Sequence, residues 1–313
     1  MAWAMARLGC LNAAWFEGMS RVILKRWDSL NVRDAASLSW AAAAGGCYPT
    51  PLVPRLLEDF DWLQGVRLPP EAGKQTPNGD SARHACLEQC LHRGELAQAF
   101  QLHLAVQLEC RLLCKGLPTP VALLCREAFN EERAYAEMTT IMLQSKPTST
   151  FHREVSESLD AVSMYHSNGV VLPEALTVDV VLQGSQWTSA DGVQLNRASS
   201  AVKPLSFDMM RQQNKVCVEV SGPSHFLLRG RLTAADPDTF DRPPRKLAGS
   251  TRLKHRMLSR LGWYIVVIPF FHWDSLLGSR EKADYVKDLL ASHQESLWRR
   301  VWEGRVQPSQ WKW

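Results

Sequence analysis

The sequence predicts an α+β protein of more than one domain, with α-helical repeats and a helical hairpin at the N-terminus and an α/β domain at the C-terminus. Three observations predict it: an eight-residue pattern that recurs at an offset of 37, helical spacing of apolar residues over 82–115 and 121–144, and short β-branched runs after residue 151. The 313 residues are 45% hydrophobic and 22% charged, the balance of a globular chain of one or two domains. The apolar run 264–271 is interrupted by Pro269 and falls far short of the roughly 18–20 residues a membrane span needs. No membrane partner is expected.

The first domain, 1–64, rests on the recurrence. Trp3-Ala4-Met5-Ala6-Arg7-Leu8-Gly9-Cys10 returns as Trp40-Ala41-Ala42-Ala43-Ala44-Gly45-Gly46-Cys47, with Trp, two alanines, Gly and Cys repeated. The offset fits one helix pair; the small residues allow close helix approach, the tryptophans anchor packing, and Gly9 and Gly46 are placed to end helices in left-handed caps. Two pairs are fewer than a solenoid needs, so this region is expected to lean on the residues C-terminal to it. In composition the first 16 residues, with Arg7 and no acid, also suit a transit peptide. The recurrence assigns them to the fold instead, and any presequence is expected outside this sequence.

A Pro/Gly/polar linker is expected over 65–81 and a helical hairpin over 82–150. Cys86/Cys90 and Cys110/Cys114 each stand four apart on the helical reading. Zinc sites use tighter knuckles and usually histidine, so these are read as buried thiols in a reducing compartment. The α/β domain, 151–292, is expected to hold a helix over 154–166, strands over 177–182, 216–221 and 263–269, and a helix over 252–261 before the last strand. Two polar stretches, 183–214 and 227–250, read as mobile insertions. A basic, Trp-rich tail, 293–313, carries Trp298, Trp302, Trp311 and Trp313 beside Arg299 and Arg300. These rings suit base stacking, although Trp298 and Trp302, four apart, suit packing on the domain better.

Charge divides unevenly. The net charge is +4, but residues 215–313 hold 17 Lys/Arg against 10 Asp/Glu, and 242–260 carry Arg242, Arg245, Lys246, Arg252, Lys254, Arg256 and Arg260 with no acid. Such a patch attracts phosphates through counterion release, or is a solvated face. Arg252, Arg256 and Arg260 recur every four residues on the side of the helix away from its apolar arc. The free N–H groups of Ser250 and Thr251 at its start favour an anion.

Glu219 lies inside the apolar strand Val216-Cys217-Val218-Glu219-Val220, and Asp179 is enclosed by Val178, Val180 and Val181 in the strand before. A buried, unpaired carboxylate costs on the order of several kcal/mol after relaxation, so Glu219 requires a cation, a donor or a metal. Two carboxylates on adjacent strands can hold Mg²⁺ or a basic side chain. On a helical wheel Lys254 falls inside the arc of Leu253, Met257, Leu258 and Leu261, facing the sheet, where it can neutralise Glu219.

Taken together, residues 219–226 (Glu219-Val220-Ser221-Gly222-Pro223-Ser224-His225-Phe226), 249–254 (Gly249-Ser250-Thr251 to Lys254), 261–264 (Leu261-Gly262-Trp263-Tyr264) and His272-Trp273 resemble the RAP domain, named for RNA-binding proteins abundant in apicomplexans. Its pattern is Glu-x-Asp-Gly-Pro-x-His-Phe, Gly-Ser-Thr-x-x-Lys, Leu-Gly-aromatic, then an aromatic-Trp pair, here spanning about 215–290. The resemblance implies a fold similar to restriction-endonuclease-like nucleases and roles in RNA processing or stability, including rRNA maturation, in the mitochondrial matrix or the chloroplast. The 37-residue recurrence is similar to the helical repeats of octotricopeptide and FAST-kinase-type proteins.

One position departs from the pattern. Ser221 stands where the motif has Asp and where an active nuclease of that fold has Lys, so hydrolysis without a substitute is expected to be slow. The expected function is that of an RNA-binding organellar factor acting beside other RNA-processing proteins, with RNA contacts at Arg252, Lys254, Arg256, Arg260, His225, Ser250 and Thr251. His225 suits either a proton carrier or a structural hydrogen bond. No cofactor is expected. The rival readings are a Mg²⁺-dependent endoribonuclease using Asp179, Glu219 and Lys254, with the metal on Asp179 and Glu219, and a protein scaffold whose basic patch meets an acidic partner.

Overall fold

Four consecutive alanines, 41–44, carry only methyl side chains and let neighbouring helices approach closely, and around them the N-terminal helices assemble. The computed structural model describes residues 1–58, 93–144, 150–182, 215–227 and 246–302. The expected linker, Cys86 and Cys90, most of both expected insertions, Trp311 and Trp313, and the side chains of Trp298 and Trp302 lie outside the described residues. The chain divides into two units: Met1–Ser145 with Pro244–Met257, and Lys146–Pro243 with Leu258–Trp313.

The first unit holds α1 (Ala2–Arg7), α2 (Ala13–Leu24), α3 (Val32–Gly45), α4 (Leu52–Glu58), α5 (Arg93–Glu109) and α6 (Thr119–Gln144). Asn12 and Asn31 cap α2 and α3, accepting from the N–H groups of Trp15 and Asp34 at 2.9 and 2.8 Å. Helix α3 is the centre, with Ala41–Ala44 wholly buried against α1 and α5. The octets that match at offset 37 end their helices alike. Gly9 and Gly46 take φ of +60° and +63°, and the N–H groups of Cys10 and Cys47 reach back to the carbonyls of Met5 and Ala42. That is the six-to-one bond of a Schellman cap, which needs a residue tolerant of the left-handed region. The rings of Trp3 and Trp40, also 37 apart, lie 5.7 Å from each other.

The hairpin differs at its turn. Helix α5 ends at Glu109, so Cys110 and Cys114 fall in the turn after it and do not share a helix face. The six described cysteines are free thiols; Cys125 and Cys217 are buried, and burial pushes the Cys125 thiol up to about 12.

The second unit is helix and mixed sheet: α7 (Thr150–Ala161), β1 (His166–Val171), β2 (Thr177–Leu182), β3 (Val216–Ser221), β4 (Tyr264–Pro269), the single turn α9 (Phe270–Trp273) and α10 (Ser279–Trp302). Strand order is β1-β2-β3-β4, antiparallel except for the parallel β3/β4 pair. Strand β1 is absent from the sequence expectation, which extends the helix to His166. The helix ends at Ala161 instead, because Ser163 turns into the left-handed region at φ +59° and the Met164 N–H bonds back to Leu159. The segment His166-Ser167-Asn168-Gly169-Val170-Val171 has too few β-branched residues to announce a strand and is held by pairing with β2.

One sheet face builds the core. Val180, Leu182, Val216, Val218, Val220, Val266 and Ile268 pack on Val155 and Leu159 of α7, Trp273 of α9, and Val286 and Leu290 of α10. At its edge Glu154 accepts from Trp273 Nε1 at 2.8 Å and from Lys282 Nζ at 2.6 Å. Those two donors hold the Glu154 carboxyl below its usual range. A depressed folded-state pKa contributes stability above the unfolded value, and that contribution is lost as pH falls through the folded one. Glu154→Gln is therefore expected to cost about 1 kcal/mol at neutral pH, the low end for a hydrogen-bonded, partly exposed ion pair. Below about pH 4, the usual carboxyl range, the difference should shrink in urea unfolding at matched pH.

Candidate nucleic-acid interface

The β2/β3 register pairs Val180 with Val218 and Val181 with Cys217, so one step further on Asp179 stands opposite Glu219. Opposed residues of an antiparallel pair share a sheet face. Glu219 is 2% exposed, and every residue of β3 is buried. Asp179 Oδ2 accepts from the Val220 N–H at 2.9 Å, and Glu219 Oε1 lies 3.5 Å from the Asp179 N–H. His152 Nε2 is 3.9 Å from Asp179 Oδ2. Each of the two acids thus faces a main-chain N–H of the other's strand.

One oxygen of each carboxylate faces a main-chain N–H, and among the described residues no group of three or more His, Cys, Asp or Glu could hold a metal ion. Ser221, two residues beyond Glu219, is wholly buried, and its hydroxyl has no hydrogen-bond partner among the described residues.

Helix α8 (Gly249–Arg260) carries the arginine row. Arg256 is turned inward. Its Nε pairs with Glu109 Oε1, its Nη2 donates to the Ala43 carbonyl and, at 3.2 Å, to Tyr48 Oη, and its Nη1 lies 3.4 Å from the Ala44 carbonyl. Tyr48 Oη donates to the other Glu109 oxygen at 2.5 Å, and burial raises the phenol well above its ordinary range, which keeps that proton in place. Arg252 Nη1 donates to the Gly9 carbonyl at 3.2 Å. Successive arginines, one helical turn apart, therefore meet the carboxyl ends of α1 and α3 at the two matching glycine turns. A cation at the carbonyl end of a helix is favoured by the helix dipole and by the unpaired carbonyls there.

The amino end of α8 is filled in the same way. Gly249 lies so close to the Ala6 carbonyl oxygen and Arg7 Cα that a Cβ would overlap them, and Thr251 is buried. A helix carboxyl end, with its partial negative charge, stands where an external anion was expected. Arg256, and one nitrogen of Arg252, thus meet carbonyls and a carboxylate of the helices of their own unit, and Thr251 is buried. Ser250 and Lys246 are exposed, while Lys254 and Arg260 are half-buried. Sequence reasoning missed Glu109 and Tyr48; the only trace was the shared periodicity, two glycines 37 apart and two arginines four apart.

His225 closes the single 3₁₀ turn Pro223–His225 after β3, and its N–H bonds to the Gly222 carbonyl at 3.0 Å. Beside this turn Phe226 meets Phe270 and Phe271 at 5.9 and 5.4 Å, and the Phe271 ring stands edge-on to His272 at 4.8 Å.

Glu219, the Gly-Pro turn with His225 and Phe226, helix α8 and the aromatic turn before Trp273 all fall within one stretch that matches a known module. Residues 218–289 match the family model of the RAP domain, which is generally RNA-binding.

Proposed function

We propose that the protein is an RNA-binding factor of an organelle, the mitochondrial matrix before the chloroplast, that acts in RNA processing, stability or rRNA maturation and holds RNA without cutting it efficiently. The observation that carries this reading is the RAP match over 218–289. The N-terminal helices, with two like-capped octets 37 apart, serve in it as short repeats preceding the RAP domain. The paired Asp179 and Glu219 are the remnant of a nuclease-like frame. Weak catalysis is supported by Ser221 in the place of a lysine.

The test is equilibrium binding of the purified full chain to labelled single-stranded RNA across a salt series with Mg²⁺ present. Binding that weakens with salt, over an RNA that stays intact, is the expected result. Absence of binding, with an acidic protein captured instead, would favour a scaffold. Cleavage that disappears in Glu219→Gln would establish an endoribonuclease. Crosslinking and sequencing of bound RNA identifies the target, and a tagged chain in cells decides the compartment.

A further inference from the structure

We propose that Phe270, Phe271 and His272 form a base-stacking step for single-stranded RNA at the carboxyl ends of β3 and β4. The inference rests on the RNA-binding reading and names the contact through which the RAP domain meets its ligand.

The placement follows from topology. Strands β3 and β4 are parallel and in register to Ser221 opposite Pro269, so both chains leave the sheet at one edge. Strand β3 passes through Gly222 into the Pro223–His225 turn, and β4 passes through Pro269 directly into α9. The crevice beyond the carboxyl ends of parallel strands is where open sheets characteristically bind ligands. At this edge the buried Ser221 hydroxyl has no hydrogen-bond partner among the described residues.

Side-chain arrangement points the same way. Successive residues of α9 project about 100° apart, as the 3.6-residue period requires, so one turn cannot send all four rings inward. Trp273 takes the inward direction and is 1% exposed; Phe270 and Phe271 are half-buried, and His272 is exposed. Phe271 is held edge-on by Phe226, Phe270 and His272, with interplanar angles of 66°, 81° and 85°. This fixes the rings in place while the step stays at the surface. Residues 221–227 and 264–273 contain no acid, and the exposed Asp274 caps the far end of the turn.

The ligand class follows from the chemistry. Arg252 and Arg256 are engaged within their own unit, so the domain's hold on RNA must draw on other groups. Aromatic faces supply a contact that every base can satisfy, and only unpaired bases can offer a free face. Single-stranded RNA fits this better than a duplex.

The test uses the full chain and two variants: His272→Ala, at an exposed position, and Phe271→Leu, which keeps apolar bulk and removes the ring. The probes are a fluorescein-labelled 12-nucleotide oligouridine (a length of about one single-strand site), the same backbone without bases, and an RNA duplex. The expected result is about a tenfold loss of oligouridine affinity in each variant, the low-to-middle range for one stacked base, with unchanged affinity for the abasic strand and, for His272→Ala, an unchanged thermal midpoint. Variants that bind oligouridine like the parent, or that lose the abasic strand equally, would overturn the stacking step while leaving RNA binding intact. Failure of the parent to bind any RNA would overturn both readings, and a peptide partner lost in the same variants would reassign the step to protein recognition.

Discussion

Arg256→Ala is expected to destabilise the first unit by about 3–5 kcal/mol, the range for removing one partner of a buried ion pair. The loss leaves the Glu109 carboxylate, with a side chain 7% exposed, without its guanidinium, and the Ala43 and Ala44 carbonyls without their donor. Arg256→Lys should recover only part, since one ammonium cannot reproduce the planar fork that meets Glu109, Ala43 and Tyr48 together. Amide exchange is the appropriate measurement, with protection falling first along α3 and the first two turns of α8. The same variant separates two roles. Loss of a phosphate-contacting arginine lowers the salt slope of RNA binding by about 0.7 per contact on a single strand. Arg256 is expected to leave that slope unchanged, and a reduced slope in a variant of unaltered stability would return it to the interface.

Gly249→Ala should be the next most costly change, about 1–3 kcal/mol as for overpacking a tight contact. The added methyl meets main-chain atoms, Ala6 O and Arg7 Cα, which cannot swing away as a side chain can. Gly9→Ala provides the comparison. There the nearest atom is Arg252 Nη1, the far end of a flexible side chain, but φ is +60°, where a β-carbon costs about 1–2 kcal/mol. Urea unfolding should therefore show both variants weakened, with Arg252 released only in Gly9→Ala. A Gly249→Ala variant as stable as its parent would mean that α8 does not seat against the end of α1.

Much of the architecture was legible because it depends on local chemistry. The Val-rich segments 177–182 and 216–221 are strands wherever they pack, and the Gly-Cys pair at offset 37 ends a helix in the same cap each time. Strand β1 was not legible, since its residues have little strand preference of their own and its place comes from β2. The burial of Glu219 was legible from the apolar residues that flank it. That it lies beside Asp179 was expected from the neighbouring strand; that the Asp179 main-chain N–H faces it was not, because that depends on the register of the two strands.

The amino-acid order alone determined the helical N-terminus, the β-rich C-terminus, the sealed carboxylate and the RAP motif, each a matter of near neighbours in the chain. The direction of the arginine row was decided only by the tertiary structure. Periodicity establishes that Arg252 and Arg256 share a side of α8, but it is silent on what that side meets. Here it meets Gly9, Glu109 and the carbonyls closing α3, up to 243 residues away in sequence, whose partial and full negative charges take the place of a phosphate.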